Sequence, residues 1–180
     1  MKLTENDYFI KDNALCTAKG SQFNTFSTIQ LTNTQSDLAQ IKALQTAADT
    51  ARLFAVAFNF VLIGTEEAGF DEAFLAALRE ELKAFDETLT NFVILPTVEN
   101  ANNAAPELLA EVFYHCARRI KDCKAVAGFV LPQTDNCTGE TAVIEALKKK
   151  HPEYVYFVDE KAQFDKLNQL YPNRIAVKAQ

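Results

Sequence analysis

From residue 23 onward the chain alternates between strand-like apolar runs and stretches with helical spacing. "FNTFSTIQL" (23–31) is rich in Phe, Thr and Ile, as a strand would be, and "SDLAQIKALQTAADTA" (36–51) places Leu38, Ile41, Leu44 and Ala48 at helical intervals. "RLFAVAFNFVLI" (52–63) predicts a strand and "FDEAFLAALREELKAFDETL" (70–89) the longest helix. A strand at "NFVILPTV" (91–98) leads to a helix over 106–123, with Pro106 suited to its first turn. The alternation ends with a strand at 125–132, a helix at 139–150, a strand at 154–159, a helix at 161–170 and a strand at 174–178. The leading "YFIKDNALCTA" (8–18) can fold as a hairpin across an end or edge of the sheet.

Six strands separated by helices predict a single α/β domain over 1–180. Residues 1–22 form an N-terminal ribbon and 23–180 the alternating core. The middle strands are apolar on both faces, which predicts a mostly parallel sheet of five or six strands with helices on both faces, doubly wound in three layers. The alternative is a truncated (β/α) barrel, since a closed one needs eight strand–helix units. Phe54, Val56, Phe58, Phe92, Ile94, Val126, Phe129, Val155 and Phe157 are the expected central-strand core.

Composition narrows the function. The formal net charge of −6 argues against nucleic acid and anionic membrane as partners, because phosphate contacts need a basic surface. No apolar run reaches membrane-spanning length, and the polar "MKLTENDYFIKDN" is no signal peptide, so a cytoplasmic protein is expected. The four cysteines lack CxxC spacing and read as reduced thiols.

In either architecture a ligand sits at the carboxyl ends of the strands. The loops there, "TNTQS", "GTEEAG", "ENANNA", "QTDNCTG" and "DE", carry Glu66, Glu67, Glu99, Asp135, Asp159 and Glu160 and no Lys or Arg. Acids gather at helix starts for electrostatic reasons alone, so Asp159 and Thr138 also read as caps of the helices that follow them. The functional reading makes Glu99, Asp135 and Glu140 candidate acid/base carboxylates, with Gln133, Asn136, Thr138, Asn102 and Asp159 as polar ligand contacts. A divalent cation bound by carboxylates is a third possibility, but no cofactor is expected and no metal ligands are assigned. GxGxxG and GxxxxGK[ST] are absent, and Glu140 in a first turn would repel a phosphate.

Thiol and metal chemistry find little support. Cys116 and Cys123 share a helical stripe with Leu109, Val112 and Ile120, as core residues would. Cys137, before a helix start, is the one thiol with a route to activation. His115 reads as a surface residue near Glu111, and His151 falls at the opposite edge from Cys137. Zinc spacing, HExxH and GxSxG are all missing.

"YFIKDNALCTAKGSQFNTF", "ARLFAVAFNF", "FDEAFLAALREELKAFDE", "NFVILPTVENANN" and "ARRIKDCKAVAGFVLPQ" resemble the first two-thirds of a family 5-type glycoside hydrolase barrel. That family carries its general acid in an Asn-Glu pair after the fourth strand, where this chain has Gln133 and Thr134. Its nucleophile lies on a seventh strand, so the two-carboxylate mechanism does not carry over. Residues 52–158 are also similar in layout to nucleoside 2-deoxyribosyltransferases, with Glu145 one residue late for the nucleophile. Both resemblances imply a sugar- or nucleoside-class ligand and glycosidic-bond hydrolysis or transfer. The competing expectation is a non-catalytic interaction or scaffold domain with a degenerate enzyme-like fold.

Overall fold

The computed structural model describes residues 8–17, 20–23, 26–32, 35–47, 51–59, 64–65, 69–98 and 103–178. A three-stranded antiparallel ribbon, β1 (Tyr8–Lys11), β2 (Ala14–Thr17) and β3 (Gln22–Phe23), precedes the core. Its first turn is Asp12-Asn13, both at positive φ (51° and 59°), the conformation that matches a two-residue turn to strand twist. The core runs β4 (Ser27–Leu31), α1 (Gln35–Ala43), β5 (Arg52–Asn59), then a small hairpin of β6 (Gly64–Thr65) and β7 (Gly69–Phe70). It continues with α2 (Glu72–Lys83), β8 (Thr90–Thr97), α3 (Pro106–Ile120), β9 (Val126–Val130) and α4 (Thr138–Leu147). The last elements are β10 (Val155–Val158), α5 (Lys161–Leu170) and β11 (Ile175–Val177).

The six core strands form one parallel sheet in the order β4-β5-β8-β9-β10-β11, the order of the chain itself. That order decides between the two predicted architectures. A doubly wound sheet reverses direction at a switch point, whereas right-handed crossovers between successive neighbours place every helix on the same side. Packing agrees. One apolar cluster joins Val56, Phe58, Phe92, Ile94, Phe129, Tyr156 and Val158 to buried residues of all five helices. The other joins Leu53, Ala55, Val93, Ala127, Val155, Phe157 and Ala176 to Tyr8, Ile10, Leu15 and Phe23 of the ribbon. The six-stranded parallel α/β sheet is therefore as the pattern predicts, but helices cover one face only and the ribbon covers the other. This is the arrangement of an open segment of a (β/α) barrel. Two-sided apolarity, read as two helical layers, arises here from one helical layer and one ribbon.

Of the nine expected core residues, all are buried except Phe54, which is half-buried. Strand β9 breaks the simple alternation: Val126 and Phe129 face the helices, Ala127 and Val130 the ribbon. At the register shift between Phe92 and Val93 the extra residue is Ala127, so that Val93 pairs with Gly128. A Cβ on Gly128 would lie 1.9 Å from the Val155 carbonyl oxygen, so only glycine permits β10 to pair there. No described helix is long and apolar enough to cross a membrane.

Candidate functional site at the carboxyl rim of the sheet

The stretch between β9 and α4 is a short structural machine. Its residues 135–137 make one 3-10 turn, in which Asn136 (φ 56°) and Cys137 (φ 59°) are both left-handed. Cys137 is formally the N-cap of α4 but its side chain caps nothing. The work passes to Thr134, whose Oγ1 accepts from the Gly139 amide at 3.0 Å. Thr138 is the first residue of α4 rather than its cap, and its hydroxyl donates back to the Asp135 carbonyl at 3.2 Å.

Glu140 is buried beneath this loop with no solvent exposure. Its Oε1 accepts from the Thr134 amide at 3.1 Å and from Gln163 Nε2 at 2.6 Å, and its Oε2 accepts from the Thr134 hydroxyl. Such a buried carboxylate, accepting from three donors, ties α4, α5 and the loop together. The tie continues outward. Gln163 forms a capping box with Glu160 at the start of α5, and Gln133 Nε2 donates to Glu160 at 2.7 Å. Glu160, not Asp159, therefore caps α5.

Asp159 instead pairs at 2.6 Å with Lys178, just past β11, so one basic residue does reach this rim. Asp135 and Asn136 are exposed at the tip of the loop. Two of the sequence-predicted site residues, Glu99 and Asn102, lie outside the described residues, as do Glu66 and Glu67. The structure thus brings Gln133, Glu140, the rim acid Glu160 and the unpredicted Thr134 and Gln163 into one network. Asp135, Asn136 and Asp159 stand apart from it. Only Glu160 and Gln163 had a usable signal, the three-residue spacing of a capping box, weakened because glutamate is not a favoured cap.

The other candidate groups settle into structural positions. Burial, and next the Glu140 carboxylate, push the Cys137 thiol above its ordinary range, which opposes the helix-start activation expected for it. Burial pushes Cys116 and Cys123 up to about 12. His115 contacts Glu72 at 3.0 Å, not Glu111, and stacks on Phe70 with ring centroids 3.6 Å apart. The Arg119 guanidinium, then His115, hold the Glu72 carboxyl below its usual range. Glu145 lies at the far end of α4, accepting from Lys148 at 2.6 Å and the Tyr171 hydroxyl at 2.7 Å. Among the described residues no three His, Cys, Asp or Glu side chains converge as a metal site would require.

A sequential parallel sheet wrapped by helices on one face defines a (β/α)-barrel type of fold, and comparison with solved structures reaches the same class. The chain is similar to the Pseudomonas stutzeri endoglucanase Cel5A in complex with cellobiose, at TM-score 0.63 and 13% identity over 96% of this chain and 62% of that one. It is also similar to the β-glucanase SdGluc5_26A from Saccharophagus degradans (TM-score 0.64, 12% identity, 95% and 60% covered). A third is the catalytic domain of the major Xanthomonas campestris endoglucanase (TM-score 0.57, 11% identity, 84% and 57% covered). These are family 5 glycoside hydrolases, so the resemblance in the sequence motifs is a resemblance of fold. The chain spans about three-fifths of the length of the first two of these proteins. No protein-family model matches the chain, and no curated protein is significantly similar to it.

Proposed function

We infer that this chain binds a neutral, polyhydroxylated small molecule of the sugar class at the carboxyl rim of its sheet. The observation that carries the reading is the glycoside-hydrolase arrangement of the sheet, whose carboxyl rim carries Asp135, Asn136 and Gln133 at the loop after β9. These groups offer donors and acceptors without fixed positive charge, which suits hydroxyls better than phosphates. Glu99 and Asn102 follow β8 in the sequence. Glycosidic-bond cleavage there would draw its carboxylates from Asp135 and Glu99, because Glu140 is buried and already accepts three hydrogen bonds.

That engagement of Glu140 also favours a second reading, a binding or scaffold domain that keeps the enzyme's fold without its chemistry. One experiment separates them. Cellobiose, cello-oligosaccharides, other neutral sugars and nucleosides are titrated against the purified chain by thermal shift, and the oligosaccharide samples are assayed for reducing-end release. A saturable rise in melting temperature with hydrolysis supports the catalytic form, and a rise without hydrolysis the binding form. A flat thermal response across sugars and nucleosides rejects a sugar-class site and leaves the scaffold reading.

A further inference from the structure

The N-terminal ribbon meets the last described strand as well as the inner face of the sheet. β11 is outermost in the strand order, and β10 receives its backbone on one side: the Tyr156 amide donates to the Arg174 carbonyl and the Lys178 amide to the Val158 carbonyl, both at 2.7 Å. Backbone direction alternates along a strand, so the N–H and C=O of Val177 point away from β10. One side chain takes both. Asn13, in the β1–β2 turn, accepts from the Val177 amide through Oδ1 at 2.7 Å and donates to the Val177 carbonyl through Nδ2 at 3.3 Å. That two-way exchange is what a residue of an antiparallel neighbour would make.

Further links run along the same line. The Ile10 amide donates to the Asn173 carbonyl at 2.9 Å, and Arg174 Nη1 donates to the Tyr8 carbonyl at 2.8 Å. Ala176 belongs to the apolar cluster that holds Tyr8, Ile10 and Leu15. Neither partner has much else to hold it. β11 is three residues long, and a hairpin of two four-residue strands is marginal by itself. The ribbon's other polar anchor is the Tyr8 hydroxyl, which meets Asn91 Oδ1 at 2.6 Å and the Lys124 carbonyl at 2.8 Å, at the amino end of the sheet.

We propose that the ribbon and β11 form a single strap, which opens and closes as one unit while the central strands stay folded. Native proteins open in cooperative units smaller than the whole fold, and this one joins residues 8–17 to residues 173–178, neighbours in space and not in sequence. Closed, the strap carries Lys178, the residue after Val177, to its place 2.6 Å from Asp159. Open, it parts that rim carboxylate from its cation and bares the inner face at Val155 and Phe157. The strap is independent of whether a sugar binds at the rim.

Amide hydrogen exchange of the full chain, read by ¹H–¹⁵N correlation spectroscopy, tests it. In the parent protein the amides of Ile10, Val177 and Lys178 should share one opening free energy and one shallow urea dependence, both below those of the β5 and β8 amides. Tyr8→Phe deletes a hydroxyl whose hydrogen bonds go to Asn91 and Lys124 and none to β11. It should nevertheless speed exchange at Val177 and Lys178 about tenfold, the worth of one or two net hydrogen bonds. Asn13→Gly works from the other end. An Asp-Gly turn keeps the left-handed geometry, and only the two bonds to Val177 are lost. Val177 then exchanges freely for want of its acceptor, while Ile10 and Lys178 should again speed up about tenfold. In both variants β5 and β8 should exchange as in the parent. The proposal is overturned if either substitution speeds only the amides beside it, since each end is then fraying alone. It is equally overturned if β5 and β8 accelerate in step with the strap, because the strap then opens only with the whole fold.

Discussion

Replacing Glu140 separates a structural carboxylate from a chemical one. Three donors converge on it: the Thr134 amide, the Thr134 hydroxyl and Gln163 Nε2. Glu140→Gln can keep all three contacts. The amide oxygen takes the place of Oε1, facing the Thr134 N–H and Gln163, while the new NH₂ faces Thr134 Oγ1, whose hydroxyl can turn away. What is lost is the charge, and charged acceptors are worth roughly twice neutral ones, so the expected loss is about 1–2 kcal/mol. Glu140→Ala removes the acceptor altogether. Each buried donor left unpaired costs about 1–3 kcal/mol. Gln163 is buried and pays in full, whereas half-buried Thr134 recovers some water, which brings the total to about 3–5 kcal/mol. Urea unfolding followed by far-UV circular dichroism measures both variants. The chain has no Trp, so backbone signal is the better probe. An Ala variant within about 0.5 kcal/mol of the parent would refute the reasoning, since that is the range of a surface change away from any special feature. So would a Gln variant that keeps full stability but loses a sugar response, because Glu140 would then be acting on ligand.

Three further outcomes follow from the same geometry. Gly128→Ala should abolish soluble, cooperatively folding protein, because the added carbon meets the Val155 carbonyl at 1.9 Å; a normal melting curve would show that β9 and β10 are not paired there. Native protein should react with iodoacetamide at pH 8 far more slowly than urea-unfolded protein at all four thiols, which are buried, with Cys116 and Cys123 pushed up to about 12; fast labelling of Cys137 would contradict its position. The Arg79 guanidinium, and next Lys83, hold the Asp122 carboxyl well below the usual carboxylate range. Its stabilisation is therefore complete above the unfolded value of about 3.9 and is lost as pH falls through the depressed folded value. Solvent screening limits it to about 1 kcal/mol or less, so Asp122→Asn should cost that at pH 7 in low salt and progressively less between pH 4 and pH 2; a gap that widens on acidification would reverse the assignment.

Element identity was legible because each run of the chain obeys one period. The helix over 161–170 and the strand at 154–159 coincide with α5 and β10 to within a residue, and Pro106 does open α3. Layering was not legible, because Val155 and Phe157 are as apolar as Tyr154 and Tyr156 and nothing local says whether a helix or a ribbon covers them. Gly128 reads as an ordinary small residue in "AVAGFVLP" until the sheet shows what a Cβ would strike. The rim was half legible. Its position followed from topology, and the polar character of "QTDNCTG" was plain, but burial of Glu140 depends on Gln163, 23 residues later, reaching back to it. Pairings of that range leave no trace in local spacing, so a carboxylate in a helix's first turn reads as a capping or catalytic group equally well.

The ribbon covers the face of the six described strands that the helices leave open. A closed barrel fills its interior with side chains from its own opposite wall. Here Leu15 and Phe23, with Tyr8 and Ile10, take that place against Leu53, Ala55, Val93, Ala127 and Val155. The ribbon is also anchored at the amino end of the sheet. The Tyr8 hydroxyl donates to Asn91 Oδ1 at 2.6 Å, Arg174 donates to the Tyr8 carbonyl, and the Ile10 amide donates to the Asn173 carbonyl at 2.9 Å. Among the described residues the outer strands are β4, which presents Ser27, Thr28 and Gln30 to solvent, and β11, which is three residues long. On the inner face of the described strands the ribbon thus stands where a closed barrel would have its opposite wall.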